Sequence, residues 1–399
     1  MKKNFLLLLA VLTASLKANA ATEKWPSLVT GRELNLTISE PAKNHGTSAL
    51  PVIIYLRNLA APRVGTESDD AILRDFRAAN YLVATLDYAH ATNARVPFIN
   101  RDLGKLRDDF RAKKILAQFQ CDEAHIYLVP EGCRLRRDIL YYADTNRPLS
   151  LDLIYPSQPK QPVGALLEFS CDNQNRFGNT SLSICSDTLL DAAATEGFAV
   201  AMADHPVAPP YKGLDAMPDC AFRIKAAVRT LRAEGAKLGL NGNIVPVGFS
   251  RGSGMALMLV TTQRQPEFDH HGAHPDTSSD VQGAVVMSGR FTYLDLLADD
   301  HMIPRYAKVW GARTNHLATW RLHGALDYLT HATQPLFLTI NCSEAPDALH
   351  QMNVLRHRLD EFHSPAEFLL DTEPRGHKVT LDPQILEAMN RYLRARLHL

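Results

Sequence analysis

Val245-Pro246-Val247-Gly248-Phe249-Ser250-Arg251-Gly252-Ser253-Gly254 is an apolar run that stops at a glycine, with a serine two places on and a second glycine two places beyond. This is the G-x-S-x-G pattern, in which a nucleophilic serine sits on a sharp turn between a buried strand and a helix. The glycines serve geometry, because a side chain at either place collides with neighbouring backbone in so tight a turn. Met255-Ala256-Leu257-Met258-Leu259-Val260 predicts the helix that follows, and its first turn directs free N–H groups at the serine. Chance also supplies this pattern, so its meaning depends on what surrounds it.

Working back from the serine, strands and helices alternate, which predicts parallel α/β construction. Ala165-Leu166-Leu167-Glu168-Phe169 reads as a strand buried on both faces, Phe198 to Asp204 as a strand ending in aspartate, and Asp219 as the start of a helix. The same order occurs about 115 to 118 residues earlier. Leu34 to Ile38 matches Leu149 to Leu153, Val52 to Leu56 matches the buried strand, and Leu82 to Asp87 matches the strand ending in aspartate. Asp102 matches Asp219, and Ile126 to Val129 matches Ile244 to Val247. Where the second copy has Gly248-Phe249-Ser250 the first has Pro130-Glu131-Gly132, so the first copy has no nucleophile. Between its strands a helix is expected over Asp69 to Ala79. Another is expected from about Arg101 to Gln118, and the mixed charges of Arg101 to Arg111 suit a solvated face.

Past the serine only the second copy continues. Gly283 to Met287 and Leu336 to Ile340 read as buried strands, with a helical insertion from Tyr293 to Leu329 carrying Trp310 and Trp320. Phe368 to Leu370 makes a short strand and Pro383 to Leu397 a closing amphipathic helix. The expected organisation is residues 1–20 as a leader, 21–136 as a degenerate α/β half-domain, and 137–399 as the catalytic domain.

With 399 residues, 43 Lys plus Arg and 43 Asp plus Glu, the chain is formally neutral, which argues against nucleic acid or an anionic membrane as partner. Lys2 and Lys3 precede the apolar run Phe5 to Leu16, and Ala18-Asn19-Ala20 follows, the arrangement of a cleaved signal too short to remain as a span. An exported, secreted or periplasmic protein is expected. Six cysteines, Cys121, Cys133, Cys171, Cys185, Cys220 and Cys342, then meet an oxidising compartment in which some can pair, and no C-x-x-C suggests a zinc ribbon or redox site.

A serine hydroxyl needs a base to take its proton, and the base needs an acid to hold its tautomer. The chain order serine, acid, histidine is filled here. Of 16 histidines, His377 follows the final strand and precedes the last helix. Asn341-Cys342-Ser343-Glu344-Ala345-Pro346-Asp347 follows the strand ending at Ile340 and offers two acids. Glu344 is preferred as nearer the strand end, with Asp347 kept open; either could cap the next helix.

The segment from Asp219 through Ala226 to Arg232, Leu238-Gly239, Ile244 and Val247 to Ser250 resembles the α/β-hydrolase esterases of the lipase and feruloyl or acetylxylan esterase group. Leu149 to Pro156 looks like that group's opening strand pair. The resemblance covers residues 137 to 399 and implies an α/β-hydrolase fold, a mostly parallel sheet flanked by helices. It also implies a serine carboxylic-ester hydrolase with Ser250, Glu344 and His377 as its triad and no cofactor. The implied substrate is a small ester or an esterified polysaccharide, with acetyl or feruloyl groups of plant polysaccharide the expected targets. Such esterases often carry His-Gly-Gly-Gly where this chain has Ser170-Cys171-Asp172-Asn173, so the oxyanion donors are expected to be the N–H of Arg251 and one near Cys171 or Asp172. The Ser250-Arg251 pair is similar to that of glucuronoyl esterases. A prolyl-oligopeptidase-like peptidase and a carbohydrate-binding protein on a decayed hydrolase fold are the alternatives. His270, His271, His274 and Asp276 are read as a polar loop before a metal site, and Trp310 and Trp320 as core before a sugar platform.

Overall fold

The structure is a computed structural model of the chain. It describes residues 20–28, 30–42, 49–59, 63, 65–89, 102, 105–106, 108–109, 112, 121–143, 148–169, 176, 187–205, 219–269, 271–379 and 382–398. The leader read in residues 1–20 lies outside them but for Ala20, and Cys171, Asp172, Cys185 and His270 lie outside them too.

Two sheets organise the molecule. Strands β1 (Ala20–Pro26), β2 (Glu33–Ser39), β3 (Leu50–Arg57), β4 (Leu82–Asp87) and β5 (Cys121–Pro130) form the first, in the order β1-β2-β4-β3-β5. The second holds β6 (Cys133–Tyr142), β7 (Leu149–Pro156), β8 (Val163–Phe169), β9 (Ala199–Ala203), β10 (Leu240–Phe249), β11 (Ala284–Met287), β12 (Leu336–Asn341) and β13 (Ala366–Asp371). Its order is β13-β12-β11-β10-β8-β9-β7-β6. From β13 to β9 neighbouring strands are parallel, while β7 and β6 complete the sheet antiparallel.

The repeat legible in the sequence is also a repeat of topology. Replacing β1-β2-β4-β3-β5 by β6-β7-β9-β8-β10 reproduces one end of the larger sheet, and each pairing keeps its sense: β1 with β2 and β2 with β4 antiparallel, β3 with β4 and β5 parallel. Tyr55 pairs with Val129 as Glu168 pairs with Val247, so Gly132 takes the place of Ser250. Gly132 keeps a positive φ of 75°, and Ser250 has 56°. Yet the turn in the first copy is closed rather than open. The N–H of Gly132 donates to the Tyr55 hydroxyl at 2.7 Å, and a Cβ on Gly65 would lie 2.0 Å from the Gly132 carbonyl oxygen.

Three expectations need correcting. The boundary after residue 136 falls inside β6, which pairs with β7 along its length, so the sheets divide at the Glu131-Gly132 turn. Leu149 to Pro156 is one strand rather than a strand pair; its antiparallel partner is β6, whose Asp138 at φ 55° interrupts the alternation that announces a strand. Asp102, read on a solvated face, is wholly buried, and its carboxylate accepts from Ser27 Oγ at 2.6 Å and from the Leu28 N–H.

Helix α1 (Asp69–Ala78) links β3 to β4, starting at Ser68, whose side chain accepts from the Ala71 N–H, and burying Ile72 and Phe76 on one face. In the larger unit α2 (Asp187–Asp191) runs into a π-helical turn over Ala192–Glu196 and stops at Gly197 with φ 72°. α3 (Asp219–Ala236), α4 (Arg251–Thr261) and α7 (Pro346–Glu361) cover one face of the sheet, and α8 (Pro383–Leu397) covers the other. Strand residues alternate accordingly: Ala165, Leu167 and Ile244 pack under α3 and α4, whereas Leu166, Val245 and Val247 share a core with Ile385, Met389 and Leu393 of α8. Between β11 and β12 lies the expected insertion, α5 (Ile303–Trp310), α6 (Leu317–Leu322) and a 3-10 turn at Ala325–Tyr328.

The two units meet through charge as well as apolar surface. Arg134, on β6, reaches Glu67 through Nε at 2.7 Å and Nη2 at 2.6 Å, and Asp75 through Nη2 at 2.7 Å. This contact holds the Glu67 carboxyl down at about 2, first through the Arg134 hydrogen bond. Cys133 and Cys342 are free thiols, and burial pushes the Cys133 thiol up to about 12.

Candidate active site

Ser250 sits between the end of β10 and the first residue of α4, with φ 56° and ψ −119°. A β-carbon substituent makes that region costly, so the turn persists only because its surroundings fix it. A Cβ on Gly248 would stand 2.1 Å from the Gly252 carbonyl oxygen, and one on Gly252 would stand 2.5 Å from that of Phe169. Both glycines are therefore required by close backbone approach. The Ser250 N–H donates to Met287 O at 3.1 Å, and Ser253 Oγ bonds the carbonyl oxygens of both Ser250 and Ser288. At the far end of α4, the wholly buried Lys225 donates from Nζ to Thr262 O at 2.8 Å, a cation at a helix C-terminus. Burial lowers its pKa.

The remaining members arrive from β12 and β13. His377 Nε2 lies 3.1 Å from Ser250 Oγ, and His377 Nδ1 lies 2.8 Å from Glu344 Oε2. Glu344 is buried; its Oε2 also accepts from Ser288 Oγ at 3.0 Å, and its Oε1 from the Ala345 N–H at 3.0 Å. Asp347, the other acid read from sequence, is engaged elsewhere: Arg290 bridges it to Asp300, and His301 Nδ1 lies 3.8 Å away.

Three supports were not singled out in the sequence. The Phe249 ring packs on His377 with centroids 4.7 Å apart. Ser288, at φ 54° just past β11, orients Glu344. Asn341 ties the acid loop to the histidine loop: its Oδ1 accepts from the N–H groups of Ser343 at 3.0 Å, Arg375 at 3.1 Å and Gly376 at 3.2 Å, and its Nδ2 donates to Glu373 O at 2.6 Å. An asparagine directly after an apolar strand and ahead of the acid is a signal that could have found it, since an amide accepts and donates at once.

Arg251 opens α4, so its N–H stands at the helix N-terminus beside the serine, and its side chain lines the cavity. Cys171 and Asp172, expected to carry the other oxyanion donor, lie outside the described residues. Arg176, the next described residue along the chain, is itself tightly held. Its Nε bonds Asp152 at 2.8 Å, its Nη1 bonds Asp204 at 2.7 Å, and its backbone N–H donates to Asp204 Oδ1 at 2.9 Å. Burial pushes the Asp152 carboxyl up against the pull of Arg176.

The triad opens on a cavity of about 340 Å³ walled by the insertion. Met255, Tyr293, Met302, Tyr306, Trp310 and His323 form its apolar side. Tyr306 and Trp310 stack with centroids 4.7 Å apart and planes 3° from parallel. Trp320 is wholly buried and donates from Nε1 to Gly311 O at 2.9 Å, so it supports this wall and offers no face to a sugar. Asp300, His301 and Asp347 are close enough to share a cation, but the Arg290 guanidinium already occupies both carboxylates. In the polar histidine loop, His271 packs on Phe222 and His274 stands 4.0 Å from Glu234, without a metal-binding cluster among the described residues.

The BD-FAE family model matches residues 175–345. A search of curated protein sequences found no match. Among solved structures the chain is similar to a truncated carbohydrate esterase from gut microbiota, at 18% identity and a TM-score of 0.56, covering 66% of this chain and 95% of that one. It is also similar to a propionate-bound thermophilic esterase of Thermogutta terrifontis, at 17% identity and 0.51, covering 67% and 97%. Esterase B of Lactobacillus rhamnosis matches at 16% identity and 0.51, covering 75% and 96%. With the elbow, the sheet order and the structural likenesses together, the chain has an α/β-hydrolase fold, and its middle part matches the BD-FAE family model.

Proposed function

We propose that this chain hydrolyses a carboxylic ester of a carbohydrate through an acyl-enzyme on Ser250. His377 Nε2 takes the hydroxyl proton as Oγ attacks the ester carbonyl, and Glu344 holds Nδ1–H and faces the imidazolium that forms. The tetrahedral oxyanion forms at the start of α4, where the Arg251 N–H is one donor. His377 returns the proton to the departing alcohol; water then repeats the sequence on the acyl-enzyme, releasing the acid and restoring Ser250. The observation that carries this reading is the continuous relay from Glu344 to His377 to Ser250, opening onto the aromatic cavity. The apolar, aromatic-rich wall of the cavity favours a planar acyl group such as feruloyl over acetyl. Ser250→Ala tests it: hydrolysis of an aryl acetate and of a feruloyl ester should both disappear, and retained turnover refutes the assignment.

A further inference from the structure

Among the described residues the cavity wall is largely apolar, and it carries one buried imidazole outside the relay. His323 follows α6 and is 8% exposed, its ring lining the cavity and lying against Trp310 with centroids 3.9 Å apart. Its Nδ1 is 2.6 Å from the Thr319 carbonyl oxygen. A carbonyl only accepts, so Nδ1 carries the proton and donates. Burial lowers the pKa of the ring, which keeps it neutral and leaves Nε2 with a lone pair. That nitrogen has no hydrogen-bond partner among the described residues. Two polar neighbours on the wall are engaged elsewhere, Arg290 with Asp300 and Asp347 and Ser288 with Glu344.

We propose that His323 determines specificity, its Nε2 accepting a hydrogen bond from a hydroxyl on an aromatic ring of the ester held against Tyr306 and Trp310. This rests on the esterase reading above and adds to it the chemistry the far wall selects. An aromatic wall accepts any flat ring laid against it; an acceptor fixed in its tautomer distinguishes a ring with a hydroxyl donor from one without, because the unhydroxylated ring leaves that nitrogen desolvated and unpaired.

Matched pairs test it. Methyl 4-hydroxycinnamate against methyl cinnamate places the hydroxyl on the acyl side; 2-(4-hydroxyphenyl)ethyl acetate against 2-phenylethyl acetate places it on the alcohol side. The unaltered chain should favour the hydroxylated member of one pair by about tenfold in kcat/KM, the scale of one hydrogen bond. The pair that responds identifies which side of the ester occupies the wall. In His323→Leu that ratio should fall to about one, while His323→Gln, which keeps a polar acceptor, should retain part of it. The ratio is taken within each variant, so loss of folded protein does not alter it. No preference in either pair, or a preference that survives in His323→Leu, overturns the proposal. Failure of the unaltered chain to hydrolyse any of the four esters or an aryl acetate overturns the esterase reading itself.

Discussion

Replacing Glu344 with glutamine keeps the side-chain volume and removes only the charge. The carboxylate has four tasks in the structure: Oε2 accepts from His377 Nδ1 at 2.8 Å and from Ser288 Oγ at 3.0 Å, Oε1 accepts from the Ala345 N–H at 3.0 Å, and the whole faces the imidazolium. A glutamine oxygen can serve Ser288 and His377, or Ala345, but its NH₂ must then face a donor at the other position. If that donor is His377 Nδ1–H, the imidazole adopts the tautomer that cannot take the Ser250 proton. One charge-assisted hydrogen bond contributes about 1.5–3 kcal/mol, and the tautomer cost adds to it. The expected barrier increase is ~3–6 kcal/mol, or about 10²- to 10⁴-fold in kcat. Asp347→Asn is the matched control, because Arg290 keeps its second contact to Asp300, Nη2 to Oδ1 at 3.0 Å, when the Asp347 charge is lost. Its kcat should change by less than about tenfold. Both are read from steady-state hydrolysis of an aryl acetate, with fluorophosphonate labelling to count competent Ser250. A large loss in Asp347→Asn with a small one in Glu344→Gln would refute the assignment of the acid.

Asn341→Ala removes a group joining the acid and histidine loops and strips the N–H groups of Ser343 and Arg375 of their acceptor, leaving Gly376 only Ser343 Oγ at 2.8 Å. We expect about 2 kcal/mol loss of stability in urea and at least a tenfold fall in kcat with little change in KM; an unchanged kcat would show that the loops are held by β12 and β13 alone. The contact between units should respond to acid. Glu67 is held below its ordinary value by Arg134, so its stabilisation is complete above the unfolded value near 4.5 and is lost as pH falls from there toward about 2. Thermal melting should therefore show a steeper acid-side decline in the unaltered chain than in Arg134→Met, and parallel curves would remove Glu67 from the account.

Much of the architecture was legible because it depends on local pattern. Buried parallel strands announce themselves as apolar runs, which is why β3, β8, β10 and β12 stand where sequence reading places them, and Asp382, which caps α8 by accepting from Gln384 N and Ile385 N, precedes a strongly amphipathic helix. β6 escaped because Arg134, Arg136, Arg137 and Asp138 break its alternation, and its hydrogen bonds to β7 are a long-range property. Asp102 escaped because a charge run looks solvated until a partner such as Ser27, far away in the chain, fills its lone pairs.

By itself the sequence determined the elbow, the order serine, acid, histidine, and the repetition of one α/β unit with glycine in place of the nucleophile. These follow from residue type and spacing, which the chain carries along its length. Only the tertiary structure separates the two acids, since Glu344 and Asp347 are three residues apart and differ in what lies opposite them, His377 for one and Arg290 for the other. It likewise turned Trp320 into a buried support and His323 into a cavity wall, because burial and hydrogen-bond partners belong to the packed molecule and to no stretch of it alone.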